Sequence, residues 1–183
     1  SLDGSVTLVP LANIANRHGR IVADHICGKK VRIVSTQATA IVKVFDLTVA
    51  TTGRNEKKLV AANREYLAIH THPASHAGYY PGAQGMSLKL LVDKKSGEIL
   101  GAQAVGREGV DKRIDVIATA MRSKLKAVEL ADLELAYAPP FGSAKDPVNM
   151  LGYIAENNLS GITPTAQWSE INNLVSNGWK IID

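Results

Sequence analysis

Residues 87–106 read SLKLLVDKKSGEILGAQAVG, and this stretch decides the fold class. Leu88, Leu90 and Val92 alternate with mostly polar neighbours, residues 94–97 form a polar turn ending in glycine, and Ile99 to Val105 run back. Period-two alternation on both sides of a short turn predicts a β-hairpin. A tight turn can join only antiparallel strands, so the sheet that holds this pair is antiparallel or mixed. Helical patterns flank it in sequence and must pack on its faces, which gives an α+β layer.

Toward the N-terminus, residues 66–71 predict a second strand. Asn55 is placed to cap a short helix in EKKLVAANRE just before it. From residue 39 the sequence TAIVKVFDLTVATTG is rich in β-branched residues and reads as one long strand. Apolar groups fall on both of its faces, the pattern of a central strand. Farther back, Pro10 opens a helix over LANIANRHGRIVADHIC, closed by Gly28. Its buried stripe is expected to be Leu11, Ile14, Ala15, Val22 and Ile26. Cys27 ends this helix with no cation four residues back and no second cysteine nearby. It reads as a half-buried structural thiol and not as a nucleophile, because a reactive thiolate needs a helix N-terminus or a neighbouring positive group.

Toward the C-terminus, residues 110–124 predict a helix with Ile114, Ile117, Ala118 and Met121 on one face, followed by a helical turn near 128–131. Residues 133–161, LELAYAPPFGSAKDPVNMLGYIAENNLSG, then break the pattern. Pro139 and Pro140 remove two backbone donors and push Ala138 toward extended geometry, so LAYAPPFG cannot be helix. Asp146 is a good N-cap and Pro147 a good first helical residue, and Val148, Leu151, Ile154 and Ala155 continue at helical spacing. The loop so pinned presents Tyr137 and Phe141. Aromatics held this stiffly serve either as structural corners or as contacts to something flat, and the pattern alone favours the corner.

Composition excludes several classes. The 183 residues, 45% hydrophobic, suffice for one good core. The net charge of +4 is mild and its 21 Lys and Arg residues are dispersed, so nucleic acid is not expected as a partner. No run approaches the ~20 apolar residues of a membrane helix, and neither a membrane span nor a signal peptide is expected from these residues. A single cysteine fits a reducing cytoplasm. One histidine-rich loop stands out: HTHPASHAGYYPGAQG, residues 70–85, carries His70, His72 and His76. His70 and His72 would share a strand face, the spacing of a metal pair, yet no carboxylate or thiolate lies near in sequence, and no metal site is assigned.

Several of these stretches share one resemblance. LAYAPPFGSAKDPVNMLGYIAENNLSG, LVPLANIANRHGR and HAGYYPG together resemble the C-terminal interface domain of flavin- and nicotinamide-dependent disulfide reductases of the coenzyme A-disulfide reductase type. The resemblance runs from about residue 6 to residue 160. It implies an α+β fold, a mixed or antiparallel sheet with helices packed on it, of the FAD/NAD-linked reductase dimerisation-domain type. It implies a homodimer, FAD and NAD(P)H in the full-length protein, and coenzyme A as the substrate-derived ligand. In that family the helix after Pro10 points its N-terminus at the flavin, so Pro10, Leu11 and Ala12, with backbone amides at Leu11 and Ala12, are the expected cofactor contacts, together with Pro140 and Phe141. The Gly-Asp pair that precedes this helix in the family is missing, and Asp3-Gly4 is no replacement. The resemblance also implies that Tyr137 and one of Tyr79 and Tyr80, with Tyr79 favoured, reach the partner subunit's redox cysteine and act there as catalytic phenols. The family's redox cysteine and nucleotide motifs lie outside this chain, so the chain alone is expected to be inactive. Two alternatives remain: an NADH oxidase or peroxidase of the same architecture, and a non-catalytic dimerisation or histidine-based metal-binding module.

After Thr163-Pro164 the character changes. In TPTAQWSEINNLVSNGWKIID, Ser169 is expected to cap a helix bearing Ile171, Leu174 and Val175, and residues 179–182 to form a strand reaching Asp183. This resembles the truncated start of a rhodanese domain. Residues 1–160 are therefore expected to form the reductase domain, and 161–183 a linker with that start.

Overall fold

A computed structural model describes Val6 and residues 8–182. Asp3-Gly4 and Asp183 lie outside the described residues. The elements run α1 (Ala12–Ile26), β1 (Ala40–Val44), β2 (Leu47–Gly53), α2 (Glu56–Ala61), β3 (Tyr66–Thr71), β4 (Met86–Asp93), β5 (Ile99–Gly106), α3 (Val110–Arg122), a 3-10 helix (Ala127–Asp132), α4 (Pro147–Leu159), a second 3-10 turn (Trp168–Glu170) and α5 (Ile171–Ser176). All pairings in the five-stranded sheet, ordered β1-β2-β5-β4-β3, are antiparallel. The predicted hairpin is present as β4 and β5, and it lies inside the sheet with β2 and β3 on either side.

The main core lies between the sheet and α3 and α4. Leu88, Leu90, Val92 and Ala102 from the strands meet Ile114, Ile117 and Ala120 from α3 and Val148, Leu151 and Ala155 from α4. Completely burying each large aliphatic side chain contributes about 1.5–3 kcal/mol. On the other face α2 sets Leu59 against Ala68, Leu91 and Leu100. Asn55 caps α2 by accepting the Lys58 N–H at 3.0 Å. Asp146 caps α4 by accepting the Val148 N–H at 3.0 Å, while its own N–H donates to Asn149 Oδ1 at 3.1 Å. Both caps fall where the sequence placed them.

Four expectations need correction. The stretch from residue 39 is a hairpin and not one strand: β1 and β2 pair through Val44 and Leu47, with Phe45 at φ 53° turning the chain. A bulky residue in the left-handed region is unusual, and no glycine or proline marks the turn. Consequently β1 is an edge strand, and β2 is the strand that sits inside the sheet. The apolar stripe of α1 is not buried: Ile14 is, but Val22 is 56% and Ile26 78% exposed. Amphipathy fixes that such a stripe exists, and in this chain the sheet and its helices do not cover it. Ser169 lies inside the 3-10 turn, whose first N–H, from Gln167, donates to Glu170 Oε2 at 2.6 Å. Residues 179–182 are not strand, since an extended segment without a neighbour to pair with is not stable in water. No described helix is long and apolar enough to cross a membrane.

Candidate functional site

Two loops meet at the end of the sheet where β3 stops and β4 and α3 start. The first spans residues 72–85. It is closed at its base by bonds from the Ser75 N–H to the Gln84 carbonyl (2.7 Å), from the Gln84 N–H to Ser75 Oγ (3.1 Å) and from the Met86 N–H to the Pro73 carbonyl (2.9 Å). Its tip turns tightly, with the Tyr80 N–H on the Ala77 carbonyl at 2.9 Å. The second loop, residues 133–146, is bent by Pro139 and Pro140, and the Phe141 and Gly142 N–H groups both reach the Ala138 carbonyl, at 2.9 and 3.2 Å. Proline fixes this bend by supplying the backbone angle and withholding a competing donor.

The loops are joined. The Ala77 N–H donates to the Gly142 carbonyl at 2.8 Å, and farther out Tyr79 Oη and Tyr137 Oη share a hydrogen bond of 3.0 Å. Tyr79 and Tyr137 are thus neighbours across 58 residues of sequence. The phenol of Tyr137 is held above its ordinary range, first by the bond to Tyr79, then by partial desolvation and by repulsion from Tyr79. It therefore stays protonated throughout the neutral range. Tyr80 goes elsewhere, with its ring edge-on to the buried His76 at 5.7 Å and 77°. Pro140 and Phe141 are exposed beside the pair in sequence, Phe141 at 71%. The aromatic rigidity read from the proline pair therefore serves a tip that faces outward.

Pro10, Leu11 and Ala12 form a second group at the start of α1. They line an open groove with Val9, Ile14, Ala15, His18 and Thr36. The Leu11 N–H is already taken by the Val9 carbonyl at 2.9 Å, so of the two amides read as donors it is Ala12's that opens the helix unpartnered by its own helix. The groove and the positive helix end leave room for a hydrogen-bond acceptor at the Ala12 N–H.

The three histidines do not converge. His72 Nδ1 pairs with Ser87 Oγ at 2.9 Å, His76 Nδ1 with the Ala77 carbonyl at 3.1 Å, and His70 stands on β3 with its pKa lowered by burial and then by the charge of His72. Among the described residues no three His, Cys, Asp or Glu side chains are grouped to hold a metal ion. Cys27 is exposed at the end of α1 and not half-buried as expected, because that face of the helix is uncovered, with Ile26 78% exposed.

Sequence reasoning missed Arg113. Its side chain is 1% exposed and grips Asp146 with Nη2 at 2.9 Å and Nε at 3.3 Å. The signal was present: residue 113 falls at helical spacing with Val110, Ile114 and Ile117, on the apolar face of α3. A cation on that face must be paired inside the fold.

The family model described as pyridine nucleotide-disulphide oxidoreductase, dimerisation domain, matches residues 39–147. A coenzyme A disulfide reductase of Staphylococcus haemolyticus (strain JCSC1435) is 41% identical over 150 residues, covering 81% of this chain and 34% of that protein. Reduced CoADR-RHD of Bacillus anthracis aligns with a TM-score of 0.93 at 53% identity, over 97% of this chain and 32% of that one. The NAD-dependent persulfide reductase from A. fulgidus aligns at 0.89 and 37% identity, over 94% of this chain and 32% of that one. The chain spans about a third of the length of the relatives it matches.

Proposed function

We propose that this chain, which belongs to the pyridine nucleotide-disulphide oxidoreductase family as its dimerisation domain, serves a flavoprotein that reduces coenzyme A disulfide, or a coenzyme A persulfide or polysulfide, with NADH or NADPH. Residues 1–160 are the dimerisation domain, and 161–183 a linker and the start of a rhodanese-like domain. The names of the relatives support the substrate class, since one reduces coenzyme A disulfide and another a persulfide. The domain assembles as a homodimer and lends its two-loop tip to the active site of the other subunit. Two-fold pairing of identical chains makes such an exchange reciprocal.

The observation that carries this reading is the 3.0 Å bond between Tyr79 and Tyr137. In such a pair one phenol donates to the other, and the outer one keeps a proton directed at whatever arrives. When a disulfide is cleaved the departing sulfur becomes a thiolate, and a neutral phenol within reach stabilises it by hydrogen bonding or by giving it a proton. Tyr80 braces the loop against His76, while Phe141 and Pro140 present an apolar wall that excludes water. The flavin, held along one edge by Pro10, Leu11 and Ala12 and first reduced by NADH or NADPH, would supply the electron pair for the cleavage. The uncovered stripe of α1, with Val22 and Ile26, fits a surface that meets the rest of a longer protein.

The test is Tyr137→Phe and Tyr79→Phe in the full-length enzyme. Each is expected to lower kcat for coenzyme A disulfide by about 10²-fold, the lower end for a positioned acid, with less change in KM. Unchanged turnover in both would remove the phenols from the reaction. Retained disulfide activity far below activity toward oxygen or peroxide would move the protein to the oxidase class instead.

A further inference from the structure

The two phenols sit on loops from different parts of the chain, and something must fix the distance between those loops. The Ala77 to Gly142 bond joins them midway, but both residues are in irregular backbone and neither is anchored by it. The anchor lies beneath, at Arg113 in the first turn of α3. Its Nη2 donates to the Ser75 carbonyl at 2.9 Å, in the base of the first loop. The same nitrogen and Nε hold the carboxylate of Asp146, the last residue of the second loop and the N-cap of α4. Nη1 donates to the Gly109 carbonyl at 3.2 Å. Gly109 adopts φ 73°, and a Cβ there would lie 2.3 Å from Nη1, so glycine leaves the space that the guanidinium fills. One side chain thus ties both loops to the start of one helix.

A buried cation is a costly way to fill a core. Taking a guanidinium out of water is repaid only where geometry is good and its donors are engaged, and an aliphatic side chain often does as well for stability. What the planar fork adds is direction: its donors lie in one plane and point at fixed angles, which an aliphatic group or an ammonium cannot reproduce. We infer that Arg113 is a positioning residue for the phenol pair, holding the Ser75 carbonyl and the Asp146 carboxylate at the spacing that sets Tyr79 Oη against Tyr137 Oη. The inference rests on the reading of those two tyrosines as the working groups. Arg113 itself touches neither of them and acts through the two loop bases.

The experiment follows the phenols directly, in the whole 183-residue chain labelled with ¹³C at tyrosine Cζ. Tyr79→Phe and Tyr137→Phe assign the two signals. In the parent chain Tyr137 is expected to titrate above the ordinary phenol value of about 10, because of its bond to Tyr79. Arg113→Lys keeps the charge and removes the fork, and Asp146→Asn keeps a capping side chain and removes the ion pair. In either variant, folded as judged by its far-ultraviolet spectrum, Tyr137 is expected to return to the ordinary phenol value and to lose its dependence on Tyr79. A folded variant in which Tyr137 titrates as in the parent overturns the inference. Should both variants fail to fold, hydrogen exchange in the parent chain decides. The Ala77 N–H and the Arg113 Nε–H should open together, and an Ala77 N–H that exchanges at the rate of an open loop while Arg113 stays protected overturns it equally. The functional reading fails separately. Tyr137→Phe with intact turnover in the full-length enzyme would sink that reading, and a shifted phenol titration in Arg113→Lys would still stand.

Discussion

Replacing Gly152 with alanine should destabilise the domain, although the same change at an open helical position stabilises. Gly152 lies where α4 crosses the first 3-10 helix. A Cβ there would lie 2.3 Å from Ala131 N, 2.8 Å from Leu130 C and 2.9 Å from Ala131 Cα. All three are backbone atoms and cannot rotate aside, so α4 would have to retreat by roughly 1 Å to reach ordinary van der Waals contact. That retreat pulls on Asn149, whose Nδ2 donates to the carbonyls of Leu130, Ala131 and Leu133 at 3.0, 3.3 and 2.9 Å. Overpacking costs about 1–3 kcal/mol, and each buried hydrogen bond weakened adds up to about 1 kcal/mol. The better helix propensity of alanine returns about 1 kcal/mol. With one or two of these bonds weakened, the net loss is about 1–4 kcal/mol. Gly19 in α1 is the control, since a Cβ there meets nothing within 4 Å, and Gly19→Ala should raise helicity and cost no stability. Urea unfolding followed by far-ultraviolet circular dichroism is the assay, because both tryptophans, Trp168 and Trp179, lie in the tail and report little on the core. A Gly152→Ala chain with an unfolding midpoint equal to or above the parent's would refute the close-packing argument.

The turn at the opposite end of the sheet predicts an acid response. Asp93 accepts the Ser96 and Lys95 N–H groups at 2.7 and 3.0 Å and Arg64 Nε at 2.8 Å, and with the Ser96 amide as the largest cause its pKa falls to about 2. Because the folded value is the depressed one, the stabilisation is complete above about pH 4 and disappears as pH falls toward about 2. Allowing for solvent at this surface turn, it amounts to something on the order of 1 kcal/mol. Urea midpoints of the parent and Asp93→Asn should therefore differ at neutral pH and converge in acid, and a gap that does not change with pH would count against the assignment. Cys27, the single cysteine, is exposed, so an aromatic disulfide reagent should label one thiol per native chain about as fast as in urea. Strong protection in the native chain would mean that the end of α1 is covered.

The parts of the fold that could be read from the sequence are those where one local signal suffices. The central hairpin has alternation over Leu88, Leu90 and Val92 and a polar turn, and the caps at Asn55 and Asp146 use side chains whose geometry is local. The β1–β2 turn had no such mark, because Phe45 takes a left-handed conformation that nothing in its neighbours announces. On α1 the pattern located a stripe and said nothing about whether this chain would cover it. The candidate site was legible only through resemblance. Tyr79 and Tyr137 lie 58 residues apart, and no periodicity links them. Arg113 was hidden because helical patterning was judged from apolar positions alone, so that a cation standing among them went unread.

The sheet divides the labour between its two ends. The registers Met86–Gly106 and Thr48–Gly106 put the start of β4, the end of β5 and the start of β2 at one end, where Arg107 pairs with Asp46 at 2.7 Å. Both tyrosine loops and the first turns of α3 and α4 gather there. The other end holds the 94–97 turn, tied to the first 3-10 helix by the Ala127 N–H on the Gly97 carbonyl at 2.8 Å. Substitutions at that far end act on stability alone, as at Asp93. At the near end they sort by depth. Tyr79, Tyr137 and Phe141 stand exposed at the tip, where a change leaves the core untouched and, under the proposed function, alters what meets the substrate. Arg113 and Asp146 lie at the base, where a change leaves the chemistry of every exposed group as it was, weakens a buried ion pair, and shifts where the phenols are held. A tip and a base that can be perturbed separately are what make a positioning role distinguishable from a chemical one.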